Sequence, residues 1–154
     1  MESRSAKLVS GCYLLILSLP ANYAFSQDDM TKQKPIEIEV QLSNESDAMG
    51  FFPNVLEFET GKLYRLSIYN AGKLKHYFSS DMFSQSVFTR KVQIPDTSGK
   101  VTAEVKGAIR EIEVYPGKTA EWWFVPVKSG RLGDLKCVIP GHAKAGMVGT
   151  IVIN

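Results

Sequence analysis

The sequence predicts an all-β fold with at most one short helix, arranged as an antiparallel sandwich or a barrel. Three features support this prediction. Apolar and polar residues alternate in short segments from Ile36 onward, turn signals at 95–99, 116–117 and 129–130 separate several of these segments, and only residues 80–90 have helical spacing. Many short strands joined by regular turns are typical of sandwiches and barrels.

The first predicted strand begins at Ile36, and its inward side is formed by alternate residues: Ile36, Ile38, Val40 and Leu42. Residues 55–58 and 63–69 flank Thr60 and Gly61 and predict a β-hairpin. Tyr64, Leu66 and Ile68 share one face of its second arm. The remaining predicted strands cover residues 77–79, 91–94, 101–105, 109–115, 120–127, 134–137 and 147–153.

Residues 80–90 predict the single helix, with Ser80 or Asp81 as its N-cap and an apolar face formed by Phe83, Val87 and Phe88. In the strand at 120–127, alternation places Trp122 and Phe124 on one face. We interpret this pair as core packing rather than as an electron relay.

Residues 1–26 have the layout of a secretory signal peptide. Arg4 and Lys7 precede an apolar run at 8–19, and small residues follow Pro20. This run of about 12 residues is shorter than the roughly 20 that a bilayer span needs, which argues against a permanent anchor. Ala24 and Ser26 provide small residues at the −3 and −1 positions, so we expect cleavage after Ser26. We therefore expect a periplasmic protein whose single mature domain is residues 27–154, with no membrane span after cleavage.

Charge and cysteine content narrow the function classes. Eighteen Lys and Arg against sixteen Asp and Glu leave a net charge of +2, which argues against nucleic acid or an anionic membrane as the partner. After cleavage Cys137 is the only cysteine, so no intramolecular disulfide can form. An unpaired cysteine in an oxidising compartment indicates a metal-bound thiolate or an intermolecular partner, although a buried inert thiol is the alternative.

The segment 137–147 spaces a thiol, an imidazole and a thioether five residues apart, at Cys137, His142 and Met147. On a helix or a strand this spacing sends neighbouring side chains in different directions, so only a loop can bring all three to one point. Pro140 and Gly141 between them suit a loop.

These side chains suit copper. Two histidines and one cysteine in a trigonal arrangement, with a weak axial methionine, form blue-copper electron-transfer sites. The loop supplies one histidine, and the chain has one other, His76. Taken alone, His76 is as easily a surface histidine, but together the four residues use every His and Cys of the mature chain.

The motif Pro-Gly-His-Ala-x-x-Gly-Met at 140–147, together with His76 and Cys137, resembles the cupredoxin family of small exported blue-copper proteins, such as plastocyanin and azurin. The Cys-to-His spacing is more similar to that of rusticyanin and auracyanin. The resemblance implies a Greek-key β-sandwich that holds one type 1 copper ion, with a buried His76 and the other three ligands on the loop between the last two strands. Tyr77, Val138 and Leu135 depart from residues common in the family, which bears on the reduction potential and on rigidity rather than on copper binding.

The resemblance further implies a monomeric electron carrier, not an enzyme, that docks transiently on redox proteins such as cytochromes or oxidases. Electrons would pass at the ring edge of His142, inside a rim formed by Pro140, Gly141, Ala143, Ala145 and Val148. A copper-tolerance or copper-delivery protein is the alternative function. A zinc-stabilised or metal-free sandwich is a third possibility, but it leaves Met147 without a role. A multicopper oxidase or nitrite reductase is excluded within this chain, because further copper centres need histidines that the sequence lacks.

Overall fold

The computed structural model of the chain describes residues 32–154, so the predicted signal peptide lies outside the described residues. The described part contains eleven strands and one helix. In chain order they are β1 (Ile36–Leu42), β2 (Phe51–Phe52), β3 (Val55–Phe58), β4 (Tyr64–Asn70), β5 (His76–Ser79), α1 (Asp81–Ser86), β6 (Val87–Pro95), β7 (Val101–Val105), β8 (Glu111–Val114), β9 (Thr119–Pro126), β10 (Gly130–Lys136) and β11 (Val148–Ile153).

The strands form two sheets, which confirms the predicted all-β sandwich with one short helix. A six-stranded sheet has the order β2-β1-β4-β9-β6-β7, and a five-stranded sheet has the order β3-β11-β10-β5-β8. Most strand pairs are antiparallel, as expected, but β1 pairs with β4 and β3 pairs with β11 in parallel. Parallel neighbours need a crossover connection, and the chain crosses to the other sheet through β3 between β1 and β4.

The predicted hairpin around Thr60 and Gly61 is also wrong. β3 and β4 belong to different sheets, and the segment between them carries the chain from one sheet to the other. The amide of Thr60 bonds to Asn154 in continuation of the five-stranded sheet, and the amide of Gly61 bonds to Pro126 at the end of β9. Both strands bury alternate residues. This alternation is the same whether two strands pair in a hairpin or face each other in different sheets, so it could not distinguish the two arrangements.

The helix covers only the first half of its predicted segment. Ser80 caps α1, since its Oγ accepts a hydrogen bond from the amide of Phe83 at 3.0 Å. The helix ends at Ser86 because the next residues pair with β9, with Val87 opposite Pro126 and Phe88 opposite Val125. Phe88, predicted to be on the apolar helical face, is therefore an exposed strand residue.

Aromatic rings fill the space between the sheets. Trp122 and Phe124 both point inward, as predicted, and their ring centroids lie 5.1 Å and 5.0 Å from that of Phe83. Burying each such side chain contributes about 1.5–3 kcal/mol. The same core contains Phe58, Phe78, Leu66, Ile68 and Ile151. This packing holds the two sheets in a fixed position relative to each other.

The end of β10 and the start of β11 define the loop that contains three of the predicted ligands. β10 ends at Lys136 and β11 begins at Val148, so Cys137 and Met147 lie just outside the strands that were predicted to contain them. Residues 137–147 form one connecting loop at the end of the sandwich where β5 begins. The single helix found among residues 32–154 lacks the length and apolar character of a bilayer-spanning segment.

Candidate metal centre

One group of metal-ligating side chains forms within the described part of the chain, and it consists of His76, Cys137 and His142. The Nδ1 atoms of the two histidines lie 3.2 Å apart. Cys137 Sγ lies 3.5 Å from Nδ1 of His142 and 4.0 Å from Nδ1 of His76. Three of the four residues predicted from the sequence therefore meet at one point.

Strand pairing places the first two side chains of this group. His76 opens β5 and is paired with Val114 of β8, and only 1% of its surface is exposed. Cys137 directly follows β10, which pairs with β5 through Lys136 and Ser79. Neighbouring antiparallel strands thus bring residues 61 positions apart in sequence to adjacent places.

The loop 137–147 is held by its own backbone. The amide of Cys137 donates to the carbonyl of Met147 at 3.1 Å, and the amide of Met147 donates to the carbonyl of His142 at 3.0 Å. Gly141 and Gly146 have φ values of 92° and 108°, a region that favours glycine. These bonds close the loop on itself and direct the His142 ring toward the thiol.

Met147 lies beside this cluster and is fully buried. Its backbone is bonded to both Cys137 and His142, as described above. The loop therefore holds the thioether residue next to the two ligand candidates that share the loop, in agreement with its predicted position.

The cluster fits one copper ion. The donor–donor distances of 3.2, 3.5 and 4.0 Å are short enough for one ion to reach all three atoms, because metal–nitrogen and metal–sulfur bonds are about 2.0–2.3 Å long. A trigonal set of two imidazoles and one thiolate, supplemented by a thioether, is the donor chemistry of copper rather than of zinc or magnesium.

The surroundings of His76 favour the form of its ring that can bind a metal. Burial, together with the nearby His142 ring, lowers the pKa of His76 below its usual value of 6.5, so the neutral imidazole that can coordinate a metal is favoured. The amide of Tyr77 donates a hydrogen bond to Cys137 Sγ at 3.3 Å. The sulfur therefore has one backbone N–H group directed at it, in addition to the two imidazole rings beside it.

The surface around His142 has the predicted apolar rim. His142 and Ala143 are partly exposed, whereas Pro140, Gly141 and Ala145 are exposed. Val148 and Val138 expose 49% and 41% of their surface at the same end of the molecule. His142 is therefore the partly exposed member of an otherwise buried ligand cluster, and small or apolar residues surround it.

Sequence reasoning missed the side chains that hold the connection before His76. Asn70 is fully buried and makes three hydrogen bonds around this connection. Asp47 accepts a hydrogen bond from the amide of Lys73 at 2.7 Å. Alternation identifies Asn70 as an inward-facing polar residue, which was a usable signal, but its partner Val114 is 44 positions away.

Two sequence relatives are copper proteins. The copper-resistant cuproprotein CopI of Pseudomonas aeruginosa is 27% identical over 155 residues, which is 85% of this chain and 83% of that protein. The protein of the same name from Rubrivivax gelatinosus is 31% identical over 113 residues, covering 71% of this chain and 62% of that protein. No protein-family model matches the chain.

Solved structures of copper proteins have the same fold as this chain. Auracyanin B aligns with a TM-score of 0.51 at 16% identity, covering 82% of this chain and 95% of that one. A copper-containing nitrite reductase from Thermus scotoductus aligns with a TM-score of 0.57 at 16% identity, but the alignment covers only 32% of that longer chain. The fold is therefore shared by auracyanin B along nearly its whole length and by about a third of the nitrite reductase chain.

Proposed function

We propose that this protein, a cupredoxin by fold, binds one copper ion and carries single electrons between larger redox proteins. The observation that supports this proposal most strongly is the buried cluster of two imidazoles and one thiol at one end of the sandwich. We further propose that residues 1–26 direct export to the periplasm and that residues 27–154 are the mature domain. The sequence lacks the histidines that further copper centres need, which favours a carrier rather than an enzyme.

We assign the ligands as His76, Cys137, His142 and Met147. Copper, when bound, supplies the one-electron couple between Cu(I) and Cu(II). The Cys137 thiolate and the two neutral imidazoles would hold the ion as strong donors, and the Met147 thioether would be a weaker fourth donor. The hydrogen bond from the Tyr77 amide to Sγ withdraws charge from the thiolate and thereby adjusts the potential of the site.

The chain keeps these ligands in place when the charge of the site changes. His76 and the residue before Cys137 belong to paired strands, and backbone bonds within the loop fix His142 and Met147. A scaffold that fixes its ligands limits nuclear rearrangement on electron transfer. The buried side of the cluster excludes water, because His76, Cys137 and Met147 are almost entirely inaccessible.

Electrons enter and leave at the partly exposed edge of His142. The surrounding rim is small and apolar, and Lys136 and Lys144 are exposed nearby. Such a surface suits brief docking, since it can be desolvated at little cost and released quickly. A partner seated on this rim would be close to a copper ligand.

Ala145→Glu tests the docking role. A charge at the rim would be desolvated on docking, so we expect electron exchange with a soluble cytochrome to slow about tenfold, which corresponds to about 1.4 kcal/mol. The visible spectrum and the copper affinity should not change. Ala108→Glu is the matched control, because Ala108 is an exposed alanine in the segment between β7 and β8, away from residues 137–148. Equal stopped-flow rates for both variants and the parent protein would contradict the assigned port.

Copper tolerance is the second candidate function, and the names of the two CopI relatives favour it. A tolerance or delivery protein surrenders Cu(I) to an acceptor, and deletion of its gene produces copper sensitivity before any respiratory defect. We expect the reverse for a carrier. Stopped-flow oxidation run beside copper transfer to a competing chelator separates the two functions, because slow electron exchange together with ready copper release would overturn the carrier function.

A further inference from the structure

The connection between β4 and β5, residues 71–75, leads directly into His76 and has no regular structure. Side chains supply much of its hydrogen bonding. Asn70 Oδ1 accepts from the amide of Gly72 at 3.0 Å, and Asp47 Oδ1 accepts from the amide of Lys73 at 2.7 Å. The carbonyl of Leu74 accepts from Asn70 Nδ2 at 2.8 Å. Two of these three bonds therefore come from one side chain.

The same amide of Asn70 reaches across to the neighbouring strand. Its Nδ2 also donates to the carbonyl of Val114 at 2.8 Å. Val114 is the residue that pairs with His76 between β5 and β8. Asn70 thus links the residue two positions before His76 to the residue opposite His76, and it does so from a fully buried position where water cannot replace it.

Only a primary amide of this length satisfies all three bonds. The NH₂ group provides two donors, and the carbonyl oxygen provides the acceptor that Gly72 needs. An aspartate would direct an acceptor at two carbonyl oxygens, whereas a serine would be too short and would offer one donor. Leaving a buried carbonyl or amide without its partner costs about 1–3 kcal/mol.

We propose that Asn70 is the positioning residue of the metal centre, which fixes the backbone on both sides of His76 so that Nδ1 is in place before the metal binds. This inference rests on the proposed role of His76 as a copper ligand. Outer partners that orient a metal ligand typically account for a 10- to 100-fold effect on metal affinity. Asn70 has this effect through the main chain and touches no donor atom of the cluster.

The variants Asn70→Asp and Asn70→Ser test the proposal, and Ser80→Ala is the control with which they are compared. Ser80 is the matched control because it is another buried polar residue with two side-chain bonds, to Asp134 and Phe83, and it follows the opposite end of β5. We expect both Asn70 variants to bind copper about 10- to 100-fold more weakly in a chelator competition and to show a shifted thiolate-to-copper band. Ser80→Ala should lose comparable stability against urea while the affinity and the band remain those of the parent protein.

Nuclear magnetic resonance of the metal-free parent protein provides a measurement that needs no variant. We expect the His76 ring to give one sharp set of signals, with the same nuclear Overhauser contacts to neighbouring protons in the metal-free protein as after diamagnetic Cu(I) binds. A His76 ring that samples several orientations without metal would overturn the proposal. So would Asn70 variants that lose stability yet keep the parent affinity and band. If the parent protein itself lacks the band, the proposed function fails, which is a different outcome from either of these.

Discussion

Gly72→Ala is a substitution whose steric effect can be worked out directly from the structure. A Cβ at position 72 would lie 2.8 Å from both Cβ and Oγ of Ser43 and 3.3 Å from Asp47 Oδ1. Carbon atoms that are not bonded pack at about 3.5–4.0 Å. Rotation of the Ser43 side chain can move Oγ but not Cβ, and Ser43 is itself fully buried. Overpacking of this kind costs about 1–3 kcal/mol, so we expect the metal-free protein to lose that much stability in urea unfolding.

Ser43→Gly provides the partner for a double-mutant cycle. It removes both clashing atoms, and its own cost is small because Ser43 has a φ of 59° and an Oγ without a hydrogen-bond partner. The left-handed conformation costs a non-glycine residue about 1–2 kcal/mol. In the Ser43→Gly background we therefore expect Gly72→Ala to cost little. An equal loss of stability in both backgrounds would refute the steric reasoning.

Three further predictions concern the core, a turn and the axial ligand. Phe83→Ala should cost about 3–5 kcal/mol in urea unfolding, whereas the exposed control Phe88→Ala should change stability by less than about 0.5 kcal/mol. Hydrogen bonds from Ser98 and from the amide of Lys100 lower the pKa of Asp96 below 3.8, so its stabilising effect is present above about pH 4 and is lost as the pH falls through the lowered pKa. Between pH 6 and pH 3, Asp96→Asn should therefore lose less stability than the parent protein. Met147→Leu should keep copper bound and raise the reduction potential in voltammetry, because losing a weak donor disfavours Cu(II) more than Cu(I), whereas complete loss of copper would contradict the axial role.

Local patterns predicted the parts of the fold that depend on local sequence. Alternation identified β1 and β4, and of the two predicted caps, Ser80 and Asp81, it is Ser80 that caps α1. The hairpin at Thr60 failed because alternation states which residues are buried but not which sheet they belong to. The helix was predicted too long because pairing of Val87 and Phe88 with β9 is a tertiary effect that helical spacing does not contain.

The candidate site was predictable because its residue types are rare and their spacing permits only a loop. His76, Cys137 and His142 meet as the sequence indicated, and Met147 lies in the predicted loop. The residues that support His76 were not predictable in the same way. Asn70 donates a hydrogen bond to the carbonyl of Val114, and Gly72 lies against Ser43. Both contacts join residues far apart in sequence, so they form only when the sheets are assembled.

The visible spectrum of the purified protein with Cu(II) tests the copper assignment most directly. We expect an intense thiolate-to-copper band at a stoichiometry of one copper per chain, because one thiol and two imidazoles form a single cluster among the described residues. Cys137→Ser should abolish the band, while Ser80→Ala, a control outside the cluster, should keep it. A parent protein without the band, or a Cys137→Ser variant that retains it, would contradict the assignment of this cluster as the copper site.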